Sequence, residues 1–151
     1  MFNDTITLFN RYTNKNTGTF WYPHIIHNVE LNRDKASIMA KYGAESKDSA
    51  SLHIPYMIVN DVITIDEIPF ISPKIWARQA NDKLPDLVTL NDNSVTFDFF
   101  IEGEYESTDV IADDDFEDGF YNHMNSKYDY CYAITSVGFY KTIPHFEIMA
   151  R

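Results

Sequence analysis

The sequence predicts a mainly β fold: a small antiparallel β-barrel or β-sandwich with one or two short helices and long loops. Aromatic residues form 15% of the 151 residues, and aromatic side chains favour strands and bury large areas. In segment 128–148, Tyr132 and Ile134 share one parity while Cys131 and Ala133 share the other. A strand there has apolar mass on both faces, which is typical of a central strand.

The end of that segment predicts a hairpin. Gly138 interrupts the apolar run and Pro144 closes the connection. The pattern resumes over 145–149, with Phe146 and Ile148 on one face. We therefore expect two antiparallel strands joined by a solvent-facing loop.

Length and charge limit the classes of function. With 44% hydrophobic residues among 151, the chain suffices for a single β domain over 1–151. The net charge of -11 argues against binding to phosphate backbones, which requires clustered Lys and Arg. We expect no sequence-specific nucleic acid binding, and interpret Lys74, Arg78 and Lys83 as a solvated helix face.

The chain also lacks signals for a membrane. It has no run of about 18 apolar residues, and residues 1–4 lack the basic and apolar regions of a signal peptide. Cys131 is the single cysteine, so it cannot form an internal disulfide. We therefore expect no membrane partner and a cytoplasm-like compartment.

The first thirty residues predict two strands. Strand 4–9 turns Ile6 and Leu8 inward, and the polar segment 10–18 is expected to be a surface loop. The second strand spans 20–31, and its apolar face is predicted to hold Ile25, Val29 and Leu31.

The middle of the chain begins with a segment of mixed character. Residues 32–47 are consistent with either a turn of helix or a long exposed loop, and we expect this segment to be mobile. Pro55 then indicates an edge or a bulge, and strand 62–66 follows a turn at Asn60 and Asp61. The strand that contains Pro55 has one apolar parity: Ala50, Leu52, Ile54, Tyr56 and Ile58.

A helix and a hairpin are predicted next. Ser72 suits an N-cap and Pro73 suits the first helical position, with an apolar stripe formed by Ile75, Trp76, Ala80 and Leu84. Segments 87–90 and 94–102 flank 91–93 as a hairpin. Its alternating residues are expected to face the core: Val95, Phe97, Phe99 and Ile101.

The acidic stretch 113–118 predicts the start of a second short helix. Phe116, Phe120 and Met124 follow at four-residue spacing, which puts the carboxylates at the positive helix N-terminus. A calcium loop is rejected because Asp118 stands where glycine is needed and Met124 where a bidentate glutamate is needed. Gly119 weakens the helix by about 1 kcal/mol.

No constellation in the sequence predicts chemistry. His24 and His27 point to opposite faces of a strand, and Cys131 is interpreted as a buried structural thiol with a raised pKa. Surface or rim positions are expected for His53, His123 and His145. We predict no catalytic residue, no cofactor-binding residue, no metal ligand and no cofactor, and we expect the protein not to be an enzyme.

The order of elements resembles that of the head-closure proteins of tailed phages and prophages, also called head completion or head–tail connector proteins. The resemblance covers most of the chain and lies in five stretches: 3–10, 27–31, 51–55, 132–137 and 145–148. Two helix-like insertions, 72–84 and 113–125, exceed what a minimal closure protein needs.

The resemblance implies a small antiparallel β-barrel with long loops and a structural role in the virion neck. It implies a homo-oligomeric ring, assembled in the bacterial host cytoplasm, that contacts portal or adaptor and tail proteins. Segment 32–47 is then a candidate for ordering against a neighbour. Such an assembly protein is expected to expose strand edges or loops and to have no pocket of convergent polar groups.

Two other functions remain open at this stage. A ligand- or carbohydrate-binding β-sandwich requires exposed stacking platforms, for which Trp21, Tyr22 and Trp76 are the candidates. A hydrolase requires a histidine beside a carboxylate in a pocket, for which His123 and Asp129 are the candidates.

Overall fold

The computed structural model describes residues 2–33, 49–93 and 96–151, and its fold is mainly β, as the sequence predicts. About half of the residues lie in strands. Of the predicted mobile segment 32–47, residues 32 and 33 end a strand and 34–47 lie outside the described residues. Val95, predicted to face the core, also lies outside them.

The described residues form ten strands, two α-helices and two short 3₁₀ helices. The strands are β1 (Asp4–Asn14), β2 (Gly18–Arg33), β3 (Ala50–Pro55), β4 (Met57–Val59), β5 (Val62–Ile65), β6 (Ile68–Pro69), β7 (Phe99–Glu102), β8 (Ile111–Ala112), β9 (Cys131–Tyr140) and β10 (His145–Ala150). The α-helices are α1 (Pro73–Trp76) and α2 (Phe120–Lys127), and the 3₁₀ helices are Asn81–Asp86 and Asp113–Asp115.

Six strands close a β-barrel, which confirms the predicted architecture. Their order is β1-β7-β9-β10-β3-β2, and β2 pairs back with β1. All six neighbouring pairs are antiparallel. Because the six strands close on themselves, the barrel leaves none of them as a free edge.

The barrel interior is an apolar core. Ile6 and Leu8 are fully buried there, as predicted, and β3 contributes its predicted face up to Tyr56. Ile58 departs from that prediction, because β3 ends at Pro55 and Ile58 lies 64% exposed on β4. Other interior residues are Ile26, Val29, Leu52, Ile54, Phe100, Tyr132, Ile134, Phe146 and Ile148.

A bulge at Asn28 changes which residues of β2 face inward. Asp4 pairs with Val29 whereas Thr5 pairs with His27, so Asn28 is the extra residue, at φ 60. Ile26 and Val29 therefore both face the interior, and the predicted grouping of Ile25 with Val29 is wrong. The bulge shifts the phase of the strand by one residue.

β1 is longer than the sequence predicts. Residues 10–14, predicted as loop, continue the strand and pair with β2 up to Asn14 and Gly18. Only residues 15–17 form the turn. The polar residue Asn10 is buried because its side chain is hydrogen-bonded to buried partners.

Those partners form a buried polar cluster around Asp98, which is fully buried. The Asp98 carboxylate accepts hydrogen bonds from the Arg11 N–H (2.8 Å), the Asn91 N–H (2.9 Å) and the Asn10 amide (2.9 Å). Asn10 also donates to the Thr89 carbonyl at 2.8 Å and accepts from the Thr89 N–H at 3.1 Å. This cluster ties Thr89, Asn91 and Asp98 to β1.

Among the described residues of the predicted hairpin 87–102, regular strand is confined to β7, and Val88 instead forms a bridge with Phe70. Phe97, Phe99 and Ile101 are buried or half-buried, but they pack on the outside of the barrel rather than inside it. Phe100 is the β7 residue that faces the interior.

That outer layer is a second core beneath α2. Phe99 stacks on Phe9 with ring centroids 4.7 Å apart and meets Trp21 edge-on at 5.0 Å. Phe120 and Met124 of α2 cover the cluster, which also buries Cys131. Burial raises the pKa of the Cys131 thiol to about 12, and the predicted burial of this cysteine is confirmed.

Asp113 lies at the N-terminus of α2, as the sequence suggests, but the predicted helix is divided into two segments. Asp113 Oδ1 accepts the Phe120 N–H and the Trp21 indole N–H, both at 2.9 Å. The predicted helix 113–125 is split because Gly119 adopts φ 88. A Cβ there would lie 3.3 Å from Asp113 Oδ2, so glycine lets the helix approach its capping carboxylate.

A third cluster joins α1 to the barrel. Ser72 caps α1, accepting the Ile75 N–H at 3.4 Å, as predicted. The predicted helix 72–84 divides into α1 and the first 3₁₀ helix. Each of the two helices packs one residue against tyrosines of the barrel. The cluster consists of Tyr12, Tyr22, Trp76 and Leu84. Ile75 and Ala80, predicted in the stripe, are exposed.

The C-terminal hairpin is confirmed, with one difference. β9 runs through Gly138, which pairs with Glu147, rather than breaking there. A Cβ at this position would lie 3.0 Å from the Tyr140 ring, so the glycine makes room for that ring. β9 buries Tyr132 and Ile134 on one face and Cys131 on the other, as a central strand should.

Candidate functional site

A small three-stranded sheet, β4-β5-β6, projects beside the barrel. Its two turns each hold two residues at positive φ: Asn60 and Asp61 (52 and 65), then Asp66 and Glu67 (47 and 70). Such paired turns match the twist of antiparallel strands. The sequence predicts the first turn, but not the second, because Asp-Glu is not a typical pair for this geometry.

The hairpin of β4 and β5 has one face toward the core and one toward solvent. Ile65 is fully buried and Ile63 packs against the interior cluster. Met57 is 68% exposed, and Val59 and Val62 are also exposed. Ile58, on the other face of β4, is exposed as well. The hairpin therefore presents several large apolar side chains to solvent, which is unusual on an isolated protein.

A groove of about 560 Å³ lies between this hairpin and the outside of the barrel. We call it the hairpin groove. Its apolar wall consists of Pro55, Met57 and Val59, and its polar wall of His27, Asn28, Thr64, Asp66 and Glu67. Its size is within the range of pockets that bind ligands or peptide side chains.

The polar wall is organised by His27 and Asp66. Asp66 Oδ2 accepts the His27 backbone N–H at 2.9 Å and lies 2.9 Å from His27 Nδ1. His27 Nε2 faces Glu104 Oε1 at 3.7 Å. The hydrogen bond that the His27 ring donates to Asp66 is the main cause that raises the pKa of His27, and the charges of Asp66 and Glu104 add to it. His27 faces outward because its neighbour Ile26, in the regular part of β2, faces the interior.

His24 and His27 lie on opposite faces of β2, as predicted. His24 faces the interior opposite Leu8 and is buried, whereas His27 is exposed. Desolvation lowers the pKa of His24 to about 4, so His24 is a neutral core residue. Only His27 belongs to the groove.

The groove corrects the expectation that no pocket of convergent polar groups exists. The histidine–carboxylate pair is His27 with Asp66, which are 39 residues apart and were not paired by sequence reasoning. The sequence only weakly indicates this pair, because the outward orientation of His27 could be predicted only if the position of the bulge were known. Among the described lining residues, Thr64 supplies the one hydroxyl, and it donates to the Met57 carbonyl at 3.4 Å.

In the described part of the chain, no three residues of the His, Cys, Asp or Glu type are grouped as metal ligands would be. Nor does any described helix have the length and apolar character needed to cross a bilayer. Among described lining residues, the groove has two carboxylates and no Lys or Arg. Its chemistry is that of an apolar surface beside negative charge.

The candidate aromatic platforms are buried rather than exposed. Trp21, Tyr22 and Trp76 are 2%, 5% and 3% exposed, because they fill the second and third clusters. The indole N–H of Trp76 donates to the Arg11 carbonyl at 2.9 Å, which fixes the ring inward. They offer no flat exposed ring to a sugar.

The other histidines are placed by the topology rather than by sequence proximity. His53 and His145 stack on neighbouring strands with centroids 5.5 Å apart, and His145 stacks on Tyr140 at 4.9 Å. His123 is exposed and packs against Phe116 at 4.7 Å. These rings line the outer surface of the barrel and of α2.

Comparison with curated proteins and with solved structures gives no match. One family model matches residues 1–151, and it describes DUF6751, a family of unknown function. The chain therefore belongs to the DUF6751 family.

Proposed function

We propose that this protein is a structural subunit of the neck of a tailed phage or prophage, a head-closure (head–tail connector) protein. It acts as one member of a homo-oligomeric ring in the virion, assembled in the bacterial host cytoplasm, and it has no catalytic role. The ring contacts the portal or adaptor on one side and the tail on the other. The observation that carries the proposal is the exposed apolar hairpin of β4 and β5.

An exposed apolar hairpin suits a subunit better than a free monomer. Met57 and Ile58 are 68% and 64% exposed, and burying each such side chain is worth roughly 1.5 to 3 kcal/mol. In a ring, one surface of each copy meets a different surface of the next copy. A projecting hairpin and a closed barrel wall provide two such different surfaces.

The charge of the chain supports the same role. Its net charge of -11 disfavours adhesion to DNA phosphates, since tight backbone binding requires released counterions and cationic side chains. A channel through which DNA passes benefits from a surface that DNA does not bind. The resemblance in the order of elements adds to this argument.

A ligand-binding function has less support. Its candidate platforms, Trp21, Tyr22 and Trp76, are buried. Catalysis by the His27 and Asp66 pair also lacks support, because the Thr64 hydroxyl at the groove already donates to the Met57 carbonyl. We therefore retain the assembly role as the single proposal.

Light scattering tests the proposal in solution. When the protein is mixed with the portal or adaptor protein encoded beside it, we expect a discrete species whose mass exceeds that of the partner assembly by a whole multiple of 17.6 kDa. The double variant Met57→Ser, Ile58→Ser should lose that species, because it removes apolar area from the interface. The control is Ile143→Ser, which is 72% exposed in the turn between β9 and β10.

A monomer that ignores these neighbours at high concentration would contradict the proposal. So would a complex that the double variant leaves unchanged, because the hairpin would then carry no contact. The variants replace exposed side chains, and coincident thermal unfolding of all three proteins checks that the fold persists.

A further inference from the structure

We propose that the open edge of β4, together with the hairpin groove, docks an extended segment of a partner protein with alternating apolar and basic side chains. The segment adds a fourth strand to the β4-β5-β6 sheet. This inference rests on the proposed function for the identity of the partner as a neck protein. The docking chemistry itself follows from the residues of the groove.

The first argument is the open edge. β4 pairs with β5 and ends the order of its sheet in the described part of the chain. Val59 and Val62 flank a two-residue turn, so their backbone N–H and C=O groups are hydrogen-bonded to each other. In an antiparallel ladder the next pair is not hydrogen-bonded, so the Ile58 N–H and C=O point away from β5. A strand that binds here gains main-chain hydrogen bonds, as in other cases of strand addition.

The second argument is the alternation of the two faces. On the groove side, Met57 and Val59 form an apolar wall along which the methylene stem of a Lys or Arg can lie. On the opposite side, Ile58 is exposed and suits an apolar neighbour. Since alternate residues of a strand point to opposite faces, the matching segment alternates basic and apolar residues.

The third argument is charge. Glu67 lines the groove and Glu104 lies at its side, 63% exposed and 3.7 Å from His27. Asp66 is already engaged by His27, so Glu67 and Glu104 are the carboxylates that an incoming cation meets. Edge-to-edge pairing of β4 with a second copy is disfavoured, because the net charge of the chain is -11 and such pairing would bring two acidic grooves together.

The test uses the full chain and a blocked nonapeptide of alternating Lys and Val. Nuclear magnetic resonance titration should show micromolar binding, with the largest shifts on β4 and in the groove, and slower hydrogen exchange at the Ile58 amide. A peptide with Glu in place of Lys should not bind. Raising the salt concentration should weaken binding, because the carboxylates are exposed.

Two variants separate the two parts of the site. Ile58→Pro removes the outward N–H without removing a hydrogen bond to β5, and it should abolish binding. The double variant Glu67→Gln, Glu104→Gln should weaken binding by about tenfold. The matched control is Glu106→Gln, Asp109→Asn, which changes two exposed acids outside the groove lining and should alter affinity less than about twofold.

Three outcomes would overturn the docking proposal. These are equal binding of the acidic peptide, unchanged affinity in the groove variants, or protection of Ile58 that depends on protein concentration without peptide, which would identify a second copy. Peptide binding without any neck complex would keep the site and overturn the proposed function. A neck complex that survives both Ile58→Pro and the glutamine double variant would keep the proposed function and overturn the docking site.

Discussion

Replacement of Asp98 by alanine is expected to lower the free energy of unfolding by about 3 to 5 kcal/mol. The substitution leaves three N–H donors, from Arg11, Asn91 and Asn10, without their acceptor in a fully buried position. Each buried unsatisfied donor costs about 1 to 3 kcal/mol. Urea unfolding followed by tryptophan fluorescence at pH 7 measures the loss.

Asp98→Asn and Asp109→Ala are the controls. Asparagine keeps the shape and one acceptor but turns an NH₂ group toward other donors, so it should cost an intermediate amount, roughly 1 to 3 kcal/mol. Asp109 is exposed, and its loss should change stability by less than about 0.5 kcal/mol. A loss below about 1 kcal/mol for Asp98→Ala would show that the cluster does not hold Thr89 and Asn91 against β1.

The same residue gives the wild-type protein a pH dependence. Burial raises the folded-state pKa of Asp98 to about 8, although its hydrogen bonds oppose the shift. Because the folded value exceeds the unfolded value, this contribution to stability is present below about pH 4 and is lost as the pH rises toward 8. The stability gap between wild type and Asp98→Ala should narrow over that window.

Replacement of Phe99 by alanine should cost about 3 to 5 kcal/mol, because it opens a cavity in the second core. Phe99 is fully buried and contacts Phe9, Trp21 and Tyr121, with centroids 4.7, 5.0 and 5.0 Å away. Those ring contacts add to the loss of buried area. Urea unfolding measures the effect, and near-ultraviolet circular dichroism reports whether α2 stays packed.

The comparison variants are Phe99→Leu and Ile143→Ala. Leucine keeps part of the volume and should cost about 1 to 2 kcal/mol, whereas Ile143 is 72% exposed and should cost less than about 0.5 kcal/mol. A similar stability for Phe99→Ala and Ile143→Ala would contradict the existence of a second core on the outside of the barrel.

The fold class was predictable because alternation and aromatic content report directly on strands. β3, β9 and β10 show their buried faces in the sequence, and Ile6 and Leu8 do the same for β1. The polar end of β1 was not predictable, since Asn10 is buried by hydrogen bonds to Thr89 and Asp98 that are distant in sequence. Local polarity indicates a loop when the partners of a buried polar residue are unknown.

The face assignments failed where one residue changed the phase. The Asn28 bulge moved Ile25 off the face that it was predicted to share with Val29, and nothing in the local pattern marks a bulge. Phe97, Phe99 and Ile101 alternate as predicted, yet they pack under α2 instead of inside the barrel. Alternation shows that a face is buried, but not which layer buries it.

The candidate groove was visible in the sequence only in part. The Asn60 and Asp61 turn was predictable, whereas the meeting of His27, Asp66 and Glu104 depends on closure of the barrel. The exposure of Ile58 was also not predictable, because this residue continues the apolar parity of the preceding strand. Residues brought together by topology, rather than by spacing, carry the site.

Electron microscopy of the particles made by a phage or prophage that encodes this chain tests the central claim most directly. The comparison is between particles made with and without the gene, with the gene restored in trans as control. If the protein is a neck subunit, its loss should give heads that fail to retain DNA or to join tails, and restoration should yield complete virions. Complete, infectious particles in its absence would contradict the proposed function.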